Sequence, residues 1–174
     1  AQHKIEDRLA ELKEQQDQKR VALANLRKNI KDYPKGLLQF KESLADELEH
    51  QLGSPVTIDI LADVLEVADE RWLGSVEGYL HAQNFYLLID PAYYQRALPV
   101  FDRIKRDFGS ASFGLVDIGK LRERETIRPR DDSLAKKVET ENPLARSYMD
   151  YLLGRVVCCN RVEQLRNFKT AITA

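Results

Sequence analysis

At 174 residues the chain is long enough for one domain with a real hydrophobic core, or for one domain with an appendage. Its 27 basic and 28 acidic side chains nearly cancel, so bulk charge gives no argument for nucleic acid and any such surface must be a local patch. Charged residues at 32% with aromatics at only 8% point to a solvated helix beside a packed core, and no apolar stretch reaches the length of a membrane span.

Residues 1–33 differ from the rest. Ile5, Leu9, Leu12, Leu23, Leu26 and Ile30, with Gln16 and Lys19 between them, fall at alternating steps of four and three, the heptad seam of a coiled coil. The intervening positions carry both charges, as a solvated helix surface does. Such a helix needs a partner strand, because propensity alone does not hold it in isolation. The opposing reading is one amphipathic helix lying on the domain that follows, and the narrowness of the apolar stripe favours the coiled coil. Nothing in this charged beginning resembles a signal peptide.

Pro34 and Gly36 end that helix. Leu37, Leu38, Phe40, Leu44, Leu48 and Leu52 then predict a helix over 37–52, closed by Gly53-Ser54-Pro55. Residues 56–67 read as a strand region, and 69–82 as a helix with Asp69 as N-cap. The continuous apolar run 85–89 reads as a strand buried on both faces. Pro91 opens a helix in which Pro99 predicts a kink or a delayed start, and Gly109 closes it. Residues 113–118 read as the next strand. The charged segment 119–133 lacks apolar periodicity and reads as an exposed linker. Helices over 142–153 and 161–168 and strands over 155–159 and 170–173 complete the chain. Helices alternating with apolar strands predict an α/β class with a mixed or mainly parallel sheet.

The second part contains an internal repeat. Glu66, Asp69, Val76, Tyr79 and Leu80 align without gaps on Glu139, Asn142, Met149, Leu152 and Leu153. Each copy has an acidic residue, a helix cap and three apolar helix positions, and each helix runs into a strand.

On these residues the sequence resembles a family. Glu139 to Val157 with its Leu152-Leu153-Gly154 helix end, followed by Val162-Glu-Gln-Leu165 and Thr170-Ala-Ile-Thr173, looks like the second half of an SMC hinge domain. Asp69-Glu-Arg-Trp72 through Tyr79-Leu80, Phe85 to Asp90 and Phe113 to Asp117 resemble the first half. The wording of Asp69 to Trp72 with Glu77 to Leu80 is closest to bacterial SMC-like ATPases of the Wadjet plasmid-defence type. The resemblance implies a pair of related helix/strand half-domains preceded by a coiled-coil helix: arm segment 1–33, hinge half I 34–118, charged linker 119–133 and a truncated hinge half II 134–174. It also implies a homodimer through the hinge, a returning coiled-coil strand of the same parent chain, and ATPase heads elsewhere in that parent. The implied role is condensin-like: binding and organising or extruding DNA in chromosome organisation or plasmid defence, in a cytoplasmic, nucleoid-associated setting. The hinge familiar from condensin and cohesin ends in a glycine-rich dimer contact, and this sequence stops at Ala174 before one.

Catalytic chemistry finds no foothold in the sequence. Gly109 to Gly114 is not followed by the Lys-Ser/Thr of a phosphate-binding loop. His3, His50 and His81 are scattered away from any second metal ligand. Ser75 lies between Leu73 and Glu77, where a nucleophile elbow would have glycines. Cys158 and Cys159, neighbours on a strand, point to opposite faces, which suits neither a disulfide nor a shared metal. No cofactor, metal or catalytic residue is therefore expected, and the absence of a disulfide framework fits a reducing compartment. Basic clusters remain at Arg103, Lys105 and Arg106, at Arg128 and Arg130, and at Lys136 and Lys137. They read either as solvated surface charge or as sequence-independent contacts to DNA phosphates. An α/β nucleotide- or ligand-binding domain attached to a coiled coil is the alternative, and it predicts a polar pocket at the carboxyl ends of the strands.

Overall fold

The computed structural model describes Lys13, Gln15 and residues 33–109, 112–124 and 128–174. The seam from Ile5 to Ile30 lies outside these described residues. Pro34–Ala174 forms one compact unit, distinct from Ala1–Tyr33.

Helix α1, Leu37–Leu52, is framed by two left-handed glycines, Gly36 (φ 82°) and Gly53 (φ 68°), and the N–H of Gly53 closes the last turn onto Glu49. Its buried stripe is Leu37, Phe40, Leu44 and Leu48, steps of three and four that share one face. That face packs on α3, Pro91–Phe108. Phe40 is the centre of the contact, edge-on to Phe101 at 5.2 Å and Phe108 at 5.5 Å, and tilted against Phe113 at 4.9 Å. Helix α3 begins at Pro91 with Asp90 as cap and runs unbroken through Pro99, so proline does not delay its start. Gly109 (φ 62°) ends it as expected.

The strands are shorter than the apolar runs suggest. Strand β1 is only Ile58–Ile60, antiparallel to β2, Leu87–Ile89. After Ile60 the chain turns through a 3-10 helix, Leu61–Val64, which buries the successive residues Leu61 and Ala62. Consecutive burial marks a turn into the core rather than a strand with one buried face, which corrects the strand expected over 56–67. Helix α2, Leu73–Leu80, is flanked by 3-10 turns at Glu70–Trp72 and His81–Phe85. His81 takes a positive φ of 46°, so the helix cannot continue through it.

The expected strand over 113–118 is an extended segment with one parallel bridge, Leu115 to Leu87. Asp117 then caps a helix: its Oδ1 accepts from the Lys120 N–H at 2.9 Å, and α4 spans Ile118–Arg124. The linker expected over 119–133 therefore begins as helix, with Leu121 packed against the core and α4 lying on α5, Pro143–Leu153. It ends at Ser133, which is fully buried. Strand β3, Val157–Cys159, pairs in parallel with β4, Ala171–Thr173, across a 3-10 helix at Val162–Asn167 that replaces the expected α-helix. The result is a mixed α/β unit with two small sheets, one antiparallel and one parallel. Its main core joins both repeats: Leu61, Trp72, Val76, Leu80 and Leu88 meet Leu134, Ala145, Met149 and Leu153.

Candidate functional site

Several backbone bonds recur in the two repeats. Ile60 faces Leu87 across an antiparallel ladder, and Ser133 faces Val157 in the same sense. The 3-10 turn at Leu61–Val64 has its counterpart at Leu134–Lys137. Leu61 donates its N–H to the Tyr86 carbonyl at 2.9 Å; Leu134 donates to Val156 at 2.8 Å. Asp69 accepts from the N–H two residues on, and so does Asn142. Leu87 donates to the Gly114 carbonyl at 2.8 Å and Val157 to Thr170 at 3.0 Å, so the segment around Leu115 is the equivalent of β4. The aligned glutamates close the relation. Glu66 donates to the Glu139 carbonyl at 2.9 Å, and Glu139 donates back to Glu66 at 2.7 Å. Equivalent residues that exchange both backbone bonds place a local two-fold axis between them.

Side chains lock the halves across that axis. Asn142 Nδ2 donates to Asp59 at 2.9 Å, the Thr140 hydroxyl donates to the Val64 carbonyl, and the Tyr148 hydroxyl donates to Gln83 at 2.8 Å. Burial pushes the Tyr148 phenol well up, so it stays a neutral donor. The Ser75 hydroxyl reaches the Thr173 carbonyl of β4 at 3.0 Å. Beyond that contact, β4 has a single strand neighbour among the described residues, and its outer edge is unpaired. Val162, in the 3-10 helix that joins β3 to β4, is 67% exposed.

The basic side chains separate into engaged and unengaged. Arg103 pairs with Glu47 at 2.9 Å, and Lys105 donates to the Phe113 carbonyl at 2.7 Å while lying over the Phe101 ring. Arg106 bonds back to the Asp102 carbonyl of its own helix. Arg130 pairs with Asp132 at 2.8 Å and holds that carboxyl below its ordinary range. Lys137 lies over the Trp72 ring at 5.4 Å. Among the described residues, only Arg128 and Lys136 of the seven are exposed and without a polar partner. The sequence brought no attention to Arg146, which bonds Asp150, the Val138 carbonyl and the Ala135 carbonyl. Its neighbours Asn142 and Asp150, at helical spacing, were the available signal. Cys158 and Cys159 are free thiols, and burial pushes the Cys158 thiol up. Among the described residues no group of histidine, cysteine and carboxylate side chains is arranged to hold a metal ion. No helix there is long and apolar enough to cross a membrane.

Solved structures share this fold. A crystal structure of an asymmetric dimer of the Geobacillus stearothermophilus SMC hinge domain superposes with a TM-score of 0.57 at 13% identity, over 94% of this chain and 67% of that one. The fold is that of an SMC hinge. The Pyrococcus furiosus Smc hinge domain with an extended coiled coil matches at a TM-score of 0.50 and 14% identity, over 89% of this chain. This chain spans 54% of that SMC hinge structure. No family model and no curated protein matches the sequence.

Proposed function

We propose that this chain is the hinge module of an SMC-type coiled-coil ATPase, joining two copies of a long parent protein into a dimer. The observation that carries the reading is the local two-fold between repeats within an SMC-hinge fold. A unit built from two equivalent halves offers two equivalent edges, β4 and the segment around Leu115. A second copy can meet them in an isologous contact, half I of one chain on half II of the other. The outer edge of β4 would supply the backbone groups for one such contact. Residues 1–33 would form one strand of the coiled-coil arm, pairing through Ile5, Leu9, Leu12, Leu23, Leu26 and Ile30 with a returning strand of the parent chain. Catalysis would then belong to ATPase heads elsewhere in that parent, and this module would transmit their movement.

The finer reading is that the module handles DNA within a condensin-like or Wadjet-type plasmid-defence assembly. Arg128 and Lys136, exposed and without a polar partner among the described residues, are the best placed of the basic residues to contact phosphates. Such contacts release counterions, so binding should fall steeply with salt and show no sequence preference.

The test is molar mass in solution, by light scattering, for the full chain and for a version beginning at Pro34. A dimer in both supports the hinge. A dimer only with residues 1–33 present identifies a coiled-coil adaptor instead, and a monomer in both removes the dimerisation claim for this chain.

A further inference from the structure

We infer that two copies of this chain join in one register, with Leu115 of one copy opposite Ala171 of the second in antiparallel sense, the two residues exchanging both backbone bonds. This deepens the dimerisation reading above and rests on it. The free backbone groups of the two edges select the register. Leu87 donates to the Gly114 carbonyl at 2.8 Å and Val116 donates to the Leu87 carbonyl at 3.0 Å, so these groups face inward. Backbone groups alternate sides along an extended chain, so Phe113, Leu115 and Asp117 turn their carbonyls outward. Two of those three are occupied. The Phe113 carbonyl accepts from Lys105 Nζ at 2.7 Å, and the Asp117 carbonyl accepts from the Leu121 N–H at 3.2 Å. Of the three residues, Leu115 keeps both its N–H and its carbonyl clear of partners among the described residues.

On β4 the inward bond from Val157 goes to Thr170, so Ala171 and Thr173 face outward. The Thr173 carbonyl accepts from the Ser75 hydroxyl at 3.0 Å, which leaves Ala171 with both groups clear. Each edge thus offers one residue with a free donor beside a free acceptor. Leu115 and Ala171 are also equivalent in the two halves, since the residues before them accept the matching bonds from Leu87 and Val157. An antiparallel pair lets two such residues exchange both bonds, which a parallel pair does not. Within the chain the equivalent residues Glu66 and Glu139 are joined in this way, so the contact between copies repeats the contact between halves. A slip of two residues sets Ala171 against the occupied carbonyl of Phe113 or Asp117, and the second of these slips also sets Leu115 against that of Thr173. Lys105 and Ser75 therefore act as positioning residues, and they leave a foreign strand little to pair with.

The test is disulfide trapping between full-length copies under mild oxidation, with the unsubstituted chain as the baseline for Cys158 and Cys159. A Leu115→Cys chain mixed with an Ala171→Cys chain brings the two Cα atoms to about 5.5 Å, within disulfide reach. Leu115→Cys mixed with Thr173→Cys leaves them about 7–8 Å apart, past that reach. Linked dimer should form at least tenfold faster in the first mixture. A second measurement needs no substitution: hydrogen exchange at the Leu115 and Ala171 amides should be at least tenfold slower in the dimer than after dilution to monomer. Where light scattering shows a dimer, equal linking rates, faster linking in the second mixture, or unchanged exchange at either amide would overturn the register and leave dimerisation standing. A monomer by light scattering at every concentration would overturn both.

Discussion

Asn142 holds more of the fold than its size suggests. Its carboxamide oxygen accepts the N–H groups of Leu144 and Ala145 at 2.9 and 3.1 Å, and its nitrogen crosses to Asp59 of the other repeat. Losing a cap costs about 1 kcal/mol, and the cross-repeat bond adds a comparable amount, so Asn142→Ala should lose about 2 kcal/mol in urea unfolding. Asp69→Ala, whose carboxylate caps an exposed turn and pairs with exposed Arg71, should lose less than half of that. Equal losses would mean that the Asp59 bond contributes nothing. Gly114 is constrained in a different way: a Cβ there would lie 2.7 Å from the Tyr86 ring. Gly114→Ala should therefore destabilise by about 1–3 kcal/mol, and Tyr86→Leu in the same chain should recover part of the loss. Both caps are legible in the sequence, because Asp and Asn before an apolar helix stripe have a local meaning. The Gly114 constraint and the Lys137–Trp72 stack are not legible, since each depends on which distant segment folds across it.

Among the elements, helices are read more securely than strands. The stripe of Leu37, Phe40, Leu44 and Leu48 fixes α1 almost to the residue, because a period near 3.6 over four turns has few alternatives. Apolar runs of five to ten residues do not distinguish a strand from a turn that dives into the core. That is why 56–67 holds a three-residue strand and a 3-10 turn. The charged run after Gly119 hid α4 because Leu121 is the one apolar residue between Gly119 and Arg124, while its other core residue, Ile118, read as the end of a strand; the Asp117 cap was its one local sign. The repeats also diverge at one aligned position. Arg146 on α5 bonds the Ala135 carbonyl of the preceding 3-10 turn and the Val138 carbonyl just after it, whereas its equivalent on α2 is the exposed Leu73. Arg146→Met should cost about 2 kcal/mol in equilibrium unfolding, while Leu73→Ala should stay within about 0.5 kcal/mol. Acid acts on the exposed turns. Arg71 holds the Asp69 carboxyl below its ordinary value, and Arg130 does the same for Asp132. A depressed folded-state value contributes stability above the unfolded value of about 4, and that contribution disappears as pH falls through the folded one. The melting temperature should therefore fall on acidification below about pH 4, with a shallower slope in Asp132→Asn.

At the scale of the molecule, the repeat was visible in five aligned residues, and the structure adds the reason it matters. Glu66 and Glu139 exchange their backbone bonds with each other, so the two halves are related by rotation rather than merely following one another. The edge strand β4 and the segment around Leu115 thereby occupy equivalent places in the two halves, which no reading of apolar periodicity could reveal. In the parallel pairing with β3, the Val157 N–H bonds Thr170 opposite Ala171, which turns the Ala171 N–H toward the open edge. A proline at 171 removes an outward donor and leaves the inner ladder intact. The most direct test is the molar mass of a chain beginning at Pro34, beside the same chain carrying Ala171→Pro. The account predicts a dimer for the first and a monomer with unchanged circular dichroism for the second. A monomer for the first, or a dimer that survives the proline, would contradict dimerisation through this edge.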